Sequence, residues 1–467
     1  MDVQSKKIKW NEMRDSIDSV YSSGKAMKRL EILFDEGSFV EVGAFVRQRP
    51  TEFGSVAENE GVITGYGSVN GQLVFAFAQE PEILKGSVSE MHARKICNII
   101  DMAIKADAPF VSIIDCSGLR ITEGIDALAG YGQILAKCNE MIGNIVHISV
   151  VCGTCAGALS FIPALADFSV VTEKSELFLS APAVVNSRFG TSDAGTAMNA
   201  YKNGLASFVE KTDLEAIEKA KSFIGFISEP SSDDDFNRLV PELESIISAD
   251  NYDMKKIIEA VADSGKVLYM CDGAAENILT ALVNLGGEIC GIVANQPAVK
   301  NGSLDSSAAK KAARFIGFCD DFNIPVVSLV DTEGFEADKN EDIGDASLLL
   351  NAFANAEIPK ISLIIGRAYG SGYISMCSKV TGADVVLALP TAEIASLAPS
   401  TGGIFFGDDI VKNSEDVSEG RKAAIDDYKE KMASPYEAAK RGYIDDVIEP
   451  VTARQLLISS LKMLEMK

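Results

Sequence analysis

Residues 366–373 have the sequence Gly-Arg-Ala-Tyr-Gly-Ser-Gly-Tyr and follow an apolar run at 361–365. The run predicts a buried strand. Ile374, Met376 and Cys377 come after the glycines and have the spacing of a packed helix. A glycine-rich turn between a strand and a helix leaves backbone N–H groups without partners, and the helix dipole adds to their positive charge. Such a turn is a candidate oxyanion hole for an enolate or a tetrahedral species, although a single turn of this kind is more often only a tight turn.

The chain contains this turn twice. Residues 153–158 have the sequence Gly-Thr-Cys-Ala-Gly-Ala and follow a second strand-like run at 145–151. Other landmarks recur in the same order at an offset of 216 or 217 residues, namely Gly86-Ser87 with Gly302-Ser303, Asp115 with Asp331, Asp167 with Asp384, and Ala181-Pro182 with Ala398-Pro399. This recurrence indicates the duplication of one domain, and the alternation of strands and helices in both halves predicts an α/β fold.

The boundary between the two copies is best placed in one acidic segment. Residues 229–235 have the sequence Glu-Pro-Ser-Ser-Asp-Asp-Asp, which combines a helix breaker with a run of like charges. We therefore predict an N-terminal domain over 1–235 and a C-terminal domain over 236–467.

Charge and composition exclude several classes of function. A formal net charge of −24 argues against nucleic acid or an anionic membrane as the main partner. No apolar run reaches membrane-spanning length and the N-terminus is polar, so we expect a cytoplasmic protein without membrane insertion. The nine cysteines have mostly apolar neighbours, which is typical of reduced core residues. Cys152 and Cys155 lack a second pair at zinc-binding spacing, so we assign them to the turn and expect no metal.

Histidine chemistry is poorly represented in the chain. The sequence contains only His92 and His147, and His147 lies in an apolar strand. A serine hydrolase triad or a dehydrogenase with a histidine base therefore has little support.

Several blocks carry a family resemblance when they are taken together. The second half contains GIVANQP (291–297), GSLDSSAAKKAARFIGFCDDFNIPVVSLVDTEGF (302–335), GRAYGSGY (366–373) and SPYEAAKRGYIDDVIEP (434–450), and the first half contains CAGALSFIPALADF (155–168) and LFLSAP (177–182). In this order the blocks resemble the carboxyltransferase subunit of biotin-dependent acyl-CoA carboxylases and decarboxylases, the family that acts on propionyl-CoA, acetyl-CoA or methylmalonyl-CoA. The resemblance runs from about residue 24 to the end of the chain.

The resemblance implies a fold and a set of site residues. The fold is a duplicated ClpP/crotonase-like ββα superhelix, in which the first turn faces the acyl-CoA and the second faces biotin, at an interface between two subunits. Carried over onto this sequence, the first oxyanion hole consists of the N–H groups of Gly157 and Ala158, and the second of those of Ser371 and Gly372. The residues expected to set the second turn, contact biotin or line the acyl pocket are Gly370, Tyr373 and Ile374.

The resemblance also implies the reaction and its participants. Carboxyl transfer needs no protein nucleophile, since the protein must hold the developing oxyanions and exclude water. The implied cofactor is biotin on a separate carrier protein, and the implied substrate is a short-chain CoA ester. Further expected partners are biotin carboxylase or membrane decarboxylase subunits, in an oligomer built from homodimers, either a dimer or a hexamer. The sequence fixes neither the acyl group nor the direction of transfer.

Departures from the family pattern leave two alternatives open. The usual Gly-Gly pairs are Gly157-Ala158 and Gly370-Ser371 here, and Ala or Ser supplies a useful N–H group only if its φ is negative. One alternative is a crotonase-type hydratase, hydrolase or decarboxylase that does not use biotin, with Glu123 or Glu333 as its carboxylate. Glu333 also replaces the proline of the family's usual Pro-Gly-Phe loop. The other alternative is an inactive paralogue that binds short-chain acyl-CoA without carboxyl transfer.

Overall fold

The computed structural model describes residues 3–21, 24–50, 59–228, 234–249, 251–336 and 343–465. The chain divides into two compact units, Met1–Glu229 and Pro230–Lys467. In the predicted boundary segment, residues 229–233 lie outside the described residues. Among the helices of the described ranges, none is both long enough and apolar enough to cross a membrane.

The first unit is a mixed sheet flanked by helices. Its strands are β1 (Val40–Val42), β2 (Val62–Val69), β3 (Gln72–Gln79), β4 (Phe110–Cys116), β5 (His147–Ala156), β6 (Phe168–Thr172), β7 (Glu176–Phe178) and β8 (Phe208–Glu210). Its helices are α1 (Val3–Tyr21), α2 (Lys25–Leu33), α3 (Glu90–Ala106), α4 (Ile125–Met141), α5 (Phe161–Leu165), α6 (Pro182–Phe189), α7 (Ala197–Lys202) and α8 (Asp213–Ser228). Within the described residues the sheet order is β1-β2-β3-β4-β5-β6-β8, and β7 also pairs with the end of β5.

The second unit repeats this plan. Its strands are β9 (Val267–Met270), β10 (Ile278–Leu285), β11 (Glu288–Asn295), β12 (Val326–Thr332), β13 (Lys360–Tyr369), β14 (Val385–Ala388), β15 (Glu393–Ala395) and β16 (Asp446–Val447). Its helices are α9 (Glu242–Ile247), α10 (Met254–Val261), α11 (Ser306–Asp321), α12 (Ile343–Asn355), α13 (Gly370–Ser375), α14 (Pro399–Phe406), α15 (Asp408–Lys412), α16 (Val417–Tyr428), α17 (Pro435–Lys440) and α18 (Ala453–Glu465). The sheet order among described residues is β9-β10-β11-β12-β13-β14-β16, with β15 beside β13.

The two sheets match strand for strand. In each, the first three strands are antiparallel and the later ones are parallel. The central strands β4 and β12 are buried along their whole length, as expected for parallel strands covered on both faces. The duplication and the α/β class predicted from the sequence are therefore confirmed.

Equivalent side chains begin equivalent elements. Ser89 Oγ accepts a hydrogen bond from the N–H of the third residue of α3 at 2.9 Å, and Asp305 Oδ1 does the same for α11 at 2.9 Å, which is N-capping. Asp167 Oδ2 accepts from the first N–H of β5 at 2.8 Å, and Asp384 Oδ2 from that of β13 at 2.9 Å. Asp167 and Asp384, one of the residue pairs that revealed the repeat, thus make the same contact in both units.

Candidate active site

Each glycine-rich turn follows a strand that loses register near its carboxyl end. Ile114 faces Val151, yet two residues later Cys116 faces Cys155, so β5 contains two extra residues opposite β4. The second unit has the same irregularity between β12 and β13, where Val330 faces Ile364 and Thr332 faces Ala368. Bulges of this kind bend a strand and change the direction of its end. The two turns are therefore presented by equivalent bulged strands.

A glycine with positive φ forms each turn. Gly157 has φ +67° and Gly370 has φ +50°, after extended residues Ala156 and Tyr369. A short 3₁₀ helix begins at Gly157 and α13 begins at Gly370, and no side chain of the described residues caps either helix. The first N–H groups of both helices are therefore available as donors to a ligand.

The replacement of glycine by alanine and serine does not strain either turn. The positive φ falls on Gly157 and Gly370, whereas Ala158 and Ser371 do not have a positive φ. An L-residue at these two positions adopts its ordinary backbone conformation. Ala158 and Ser371 therefore meet the condition for supplying useful N–H groups.

The second turn packs closely on the loop that follows β12. A Cβ atom on Gly372 would lie 2.7 Å from Gly334 Cα and 3.1 Å from Thr332 Cγ2. Thr332 holds this loop, because its Oγ1 accepts from Gly334 N–H at 3.1 Å. In the first unit Gly118 N–H donates to Cys116 Sγ at 3.3 Å. Each turn therefore has a loop beside it that is fixed by the last residue of the neighbouring strand.

The residues after the second turn differ from the helix predicted for them. The helix α13 ends at Ser375, and Cys377 has φ +61°, so Met376 and Cys377 lie outside it. Ser328 Oγ donates to the carbonyl of Met376 at 3.0 Å, which holds the chain in this break. Ile374 is 42% exposed, beside the turn. The Tyr373 hydroxyl oxygen is buried and has no hydrogen-bond partner among the described residues, and burial raises the pKa of this phenol.

Both histidines are buried and uncharged. His147 Nε2 lies 3.0 Å from Ser112 Oγ, and burial lowers the pKa of His147 from 6.5 to about 3. His92 Nε2 lies 3.2 Å from Gln79 Nε2, and burial together with nearby Arg120 lowers the pKa of His92 well below its usual value. Neither imidazole is placed or protonated to act as a general acid or base.

The two carboxylates proposed for a hydratase are engaged elsewhere. Glu123 Oε2 accepts from the Glu90 N–H at the start of α3 at 2.9 Å, and Arg120 lies beside its other oxygen. Glu333 forms an ion pair with Arg367 at 3.2 Å. The geometry therefore gives no support to a crotonase-type hydratase that uses one of these residues.

The cysteines also have structural positions. Cys152 and Cys155 lie on the bulged end of β5, and the turn begins only at Gly157. The prediction that both cysteines belong to the turn is therefore wrong by a few residues. Burial raises the pKa of both thiols. No disulfide joins any of the nine cysteines, all of which fall within the described ranges. In the same part of the chain, no three His, Cys, Asp or Glu side chains form a group that could hold a metal ion.

Comparison with known proteins decides the family. The model of the carboxyl transferase domain matches residues 19–467. The chain belongs to the carboxyl transferase family. It is 40% identical to the methylmalonyl-CoA decarboxylase subunit alpha of Propionigenium modestum, over 97% of this chain and 92% of that protein. It is 36% identical to the carboxyltransferase subunit of propionyl-CoA carboxylase of Haloferax mediterranei, over 97% of this chain and 93% of that protein.

A solved structure supports the same assignment for this carboxyltransferase. The transcarboxylase 12S crystal structure, a hexamer with hydrolysed methylmalonyl-coenzyme A bound, aligns with a TM-score of 0.92 and 33% identity, over 100% of this chain and 96% of that one. The predicted family, its crotonase-like fold and the enzyme class of biotin-dependent acyl-CoA carboxyltransferases are thereby confirmed.

The groups that hold the two turns are not evident from the sequence. Asp115 and Asp331 were recognised only as landmarks of the repeat, but their carboxylates contact the bulged strands. Arg29 and Tyr252, which bind these carboxylates, are 86 and 79 residues away in sequence, so local motifs gave no sign of them. Arg367, which also binds Asp331, lies within the motif at 366–373, but the motif does not reveal its partner. The only available signal was the recurrence of the aspartate at an offset of 216 residues.

Proposed function

We propose that this carboxyltransferase moves a carboxyl group between biotin on a partner carrier protein and a short-chain acyl-CoA, using both turns as oxyanion holes. The N–H groups of Gly157 and Ala158 hold the thioester oxygen as it becomes an enolate. Those of Ser371 and Gly372 hold the carbonyl oxygen of the biotin ring. The observation that supports this assignment is the pair of equivalent turns, each with a positive-φ glycine and uncapped N–H groups.

The charge state of the chain supports catalysis by the backbone. Both histidines are buried and neutral, so the turns act without a titrating imidazole beside them. Fixed backbone donors need no reorganisation as negative charge develops on the substrate, and removing one such donor typically costs about 10²–10³ in kcat. The protein supplies donors and orientation, while the reacting groups belong to the substrates.

We assign the second turn to the biotin ring. Ser371 is exposed at the start of α13, and Tyr373 and the exposed, apolar Ile374 follow it in the same helix. Backbone N–H groups beside an apolar surface suit a neutral ring that carries one strongly polar oxygen. Biotin, when bound, carries the carboxyl group that is transferred. Gly370 sets the turn, and Tyr373 and Ile374 would contact the ring or the acyl group.

The relatives define the range of substrates and partners. One is named a methylmalonyl-CoA decarboxylase subunit and another a propionyl-CoA carboxylase subunit, and the two activities run in opposite directions. A three- or four-carbon acyl-CoA is the substrate class we assign to this chain. Its further partners are a biotin carrier protein together with either biotin carboxylase or membrane decarboxylase subunits, and we assign the complex to the cytoplasm or its membrane face.

Exposed apolar side chains support an oligomer built from homodimers. Ile121, in the short 3₁₀ helix before α4, is 86% exposed, and Ile125, the first residue of α4, is 73% exposed. On α14, Ile404 and Phe405 are 73% and 70% exposed. Contiguous exposed apolar surface commonly marks an interface. We assign the first turn of one subunit to act with the second turn of its partner, in a dimer or in a hexamer like that of transcarboxylase 12S.

Decarboxylation of methylmalonyl-CoA and malonyl-CoA tests this function. The purified protein is assayed for CO₂ release with and without free biotin, and the faster ester identifies the acyl group. We expect release to depend on biotin. Equal release without biotin would assign the chain to a biotin-independent decarboxylase, and tight binding of both esters without any turnover would indicate an inactive paralogue.

A further inference from the structure

We propose that Asp115 and Asp331 are positioning residues for the two turns, each holding the bulged end of the strand that presents the catalytic N–H groups. This inference rests on the proposed function, which assigns both turns as oxyanion holes. Its geometry, however, occurs twice, once in each unit, and does not depend on any ligand.

In the first unit, Asp115 is the next-to-last residue of β4 and lies beside the bulge in β5. Its Oδ1 accepts from the N–H of Thr154 at 3.3 Å, three residues before Gly157. The carboxylate also fills the space above Gly153, where a Cβ atom would lie 2.1 Å from Oδ1. Asp115 is 9% exposed, so this contact is made out of solvent.

In the second unit, Asp331 makes the same contacts. Its Oδ1 accepts from the N–H of Arg367 at 3.0 Å, three residues before Gly370. A Cβ atom on Gly366 would lie 2.5 Å from the carboxylate. Because both units have this arrangement at equivalent positions, we infer that the carboxylate is needed to form the turn.

The physical reason lies in the bulge. Extra residues in a bulged strand lose their partners in the ladder, and a buried N–H group without a partner is costly. Each aspartate accepts the N–H that the bulge releases, and so fixes the direction in which the strand leaves the sheet. Catalytic groups function only within about 0.5 Å of their productive position. A strand end that is free to shift would therefore lower kcat even while the protein stays folded.

The two aspartates are themselves held by different groups. Asp115 Oδ2 accepts from Arg29 Nη2 at 2.9 Å, and Arg29 Nε donates to Asp213 at 2.8 Å. Asp331 Oδ2 accepts from the Tyr252 hydroxyl at 2.9 Å, and its Oδ1 also accepts from Arg367 Nε at 2.6 Å. Because the supports differ, each turn can be perturbed without touching the other.

The test compares Asp331→Asn with Asp263→Asn. Asp263 is an equally buried carboxylate of the same unit, and it also binds an arginine, Arg454, and two backbone N–H groups, those of Gly286 and Gly287. Asp263 binds the hairpin between β10 and β11, which lies at the opposite end of the parallel strands from the turn. Both variants should lower the resistance to urea. Only D331N should lower the kcat of biotin-dependent decarboxylation, by at least about tenfold, with the KM for the CoA ester changed less than about twofold.

Amide hydrogen exchange provides the readout that activity alone cannot. D331N should accelerate exchange over residues 366–375, and D263N should not. Equal loss of kcat in the two variants, or unchanged exchange at the turn in D331N, would overturn the proposal. If the wild-type enzyme shows no biotin-dependent turnover, the proposed function fails, but the exchange rates still decide the positioning role.

Two further variants keep the test decisive. Tyr252→Phe removes a single donor to Asp331, so a folded enzyme with about threefold lower kcat and faster exchange at 366–375 is expected. If D331N does not fold, unchanged kcat and exchange in Y252F would overturn the inference. Asp115→Asn should produce the same exchange effect at residues 153–160 and leave 366–375 as in the wild type.

Discussion

Replacing Gly372 with alanine displaces the second turn by a distance that the structure defines. The added Cβ would lie 2.7 Å from Gly334 Cα and 3.1 Å from Thr332 Cγ2, whereas carbon atoms in contact are about 3.5–4.0 Å apart. The turn and the loop must therefore separate by roughly 1 Å. N–H···O bonds are made only over about 2.7–3.2 Å, so this shift removes a donor from the oxyanion. We expect kcat for biotin-dependent decarboxylation to fall by about 10², since one donor is worth about 10²–10³.

A second glycine of the same unit provides the control. Gly317 lies inside α11, and a Cβ atom there would meet nothing within 4 Å. Alanine at this position should preserve kcat and stabilise the helix by up to about 1 kcal/mol. Steady-state kinetics and urea unfolding are measured for both variants. If G372A is folded and its kcat stays within about threefold of the wild type, the donor is not held at this turn and the reasoning fails.

Three further changes have defined outcomes. Gly157→Ala puts alanine at φ +67° with open space around its Cβ. The resulting strain of about 1–2 kcal/mol should displace the first turn and lower kcat about tenfold. The control Gly71→Ala, at φ +80° with equally open space, should lose similar stability in urea and retain kcat. Arg454→Leu leaves buried Asp263 without its guanidinium and should cost about 3–5 kcal/mol of unfolding free energy, so a loss below about 1 kcal/mol in urea would contradict the assigned ion pair. Burial lowers the pKa of His147 from 6.5 to about 3. The contribution of neutral His147 to the free energy of unfolding is therefore complete above pH 6.5. It is lost as the pH falls, because the unfolded chain then binds a proton that the folded chain does not. Between pH 7 and 5 the wild type should lose about 2 kcal/mol more unfolding free energy than His147→Gln, and equal losses would show that His147 is not buried in its neutral form.

The elements that depend on local pattern could be predicted from the sequence. Buried strands such as β4 and β12 are largely apolar runs, and each glycine-rich turn is marked by glycine at the position that adopts positive φ. The repeat was visible because equivalent residues cap or begin equivalent elements, as Asp167 and Asp384 do. These features are determined by neighbours in sequence, which is why pattern and spacing sufficed.

Features that depend on distant contacts could not be predicted. The spacing of Ile374, Met376 and Cys377 suggested a helix, but the chain breaks after Ser375, where a hydroxyl from β12 binds the Met376 carbonyl. The bulges in β5 and β13 arise from the register with a neighbouring strand, which no local motif reports. Contacts between Asp331 and Tyr252 span 79 residues, so only the folded chain shows that these side chains meet.

In our assignment, each turn binds one of the two substrates. Amide hydrogen exchange over residues 153–160 and 366–375 tests this directly when it is measured in the free enzyme, with methylmalonyl-CoA alone and with biotin alone. We predict that the CoA ester protects 153–160 and that biotin protects 366–375. Protection of the same single segment by both ligands would contradict the assignment of one substrate to each turn.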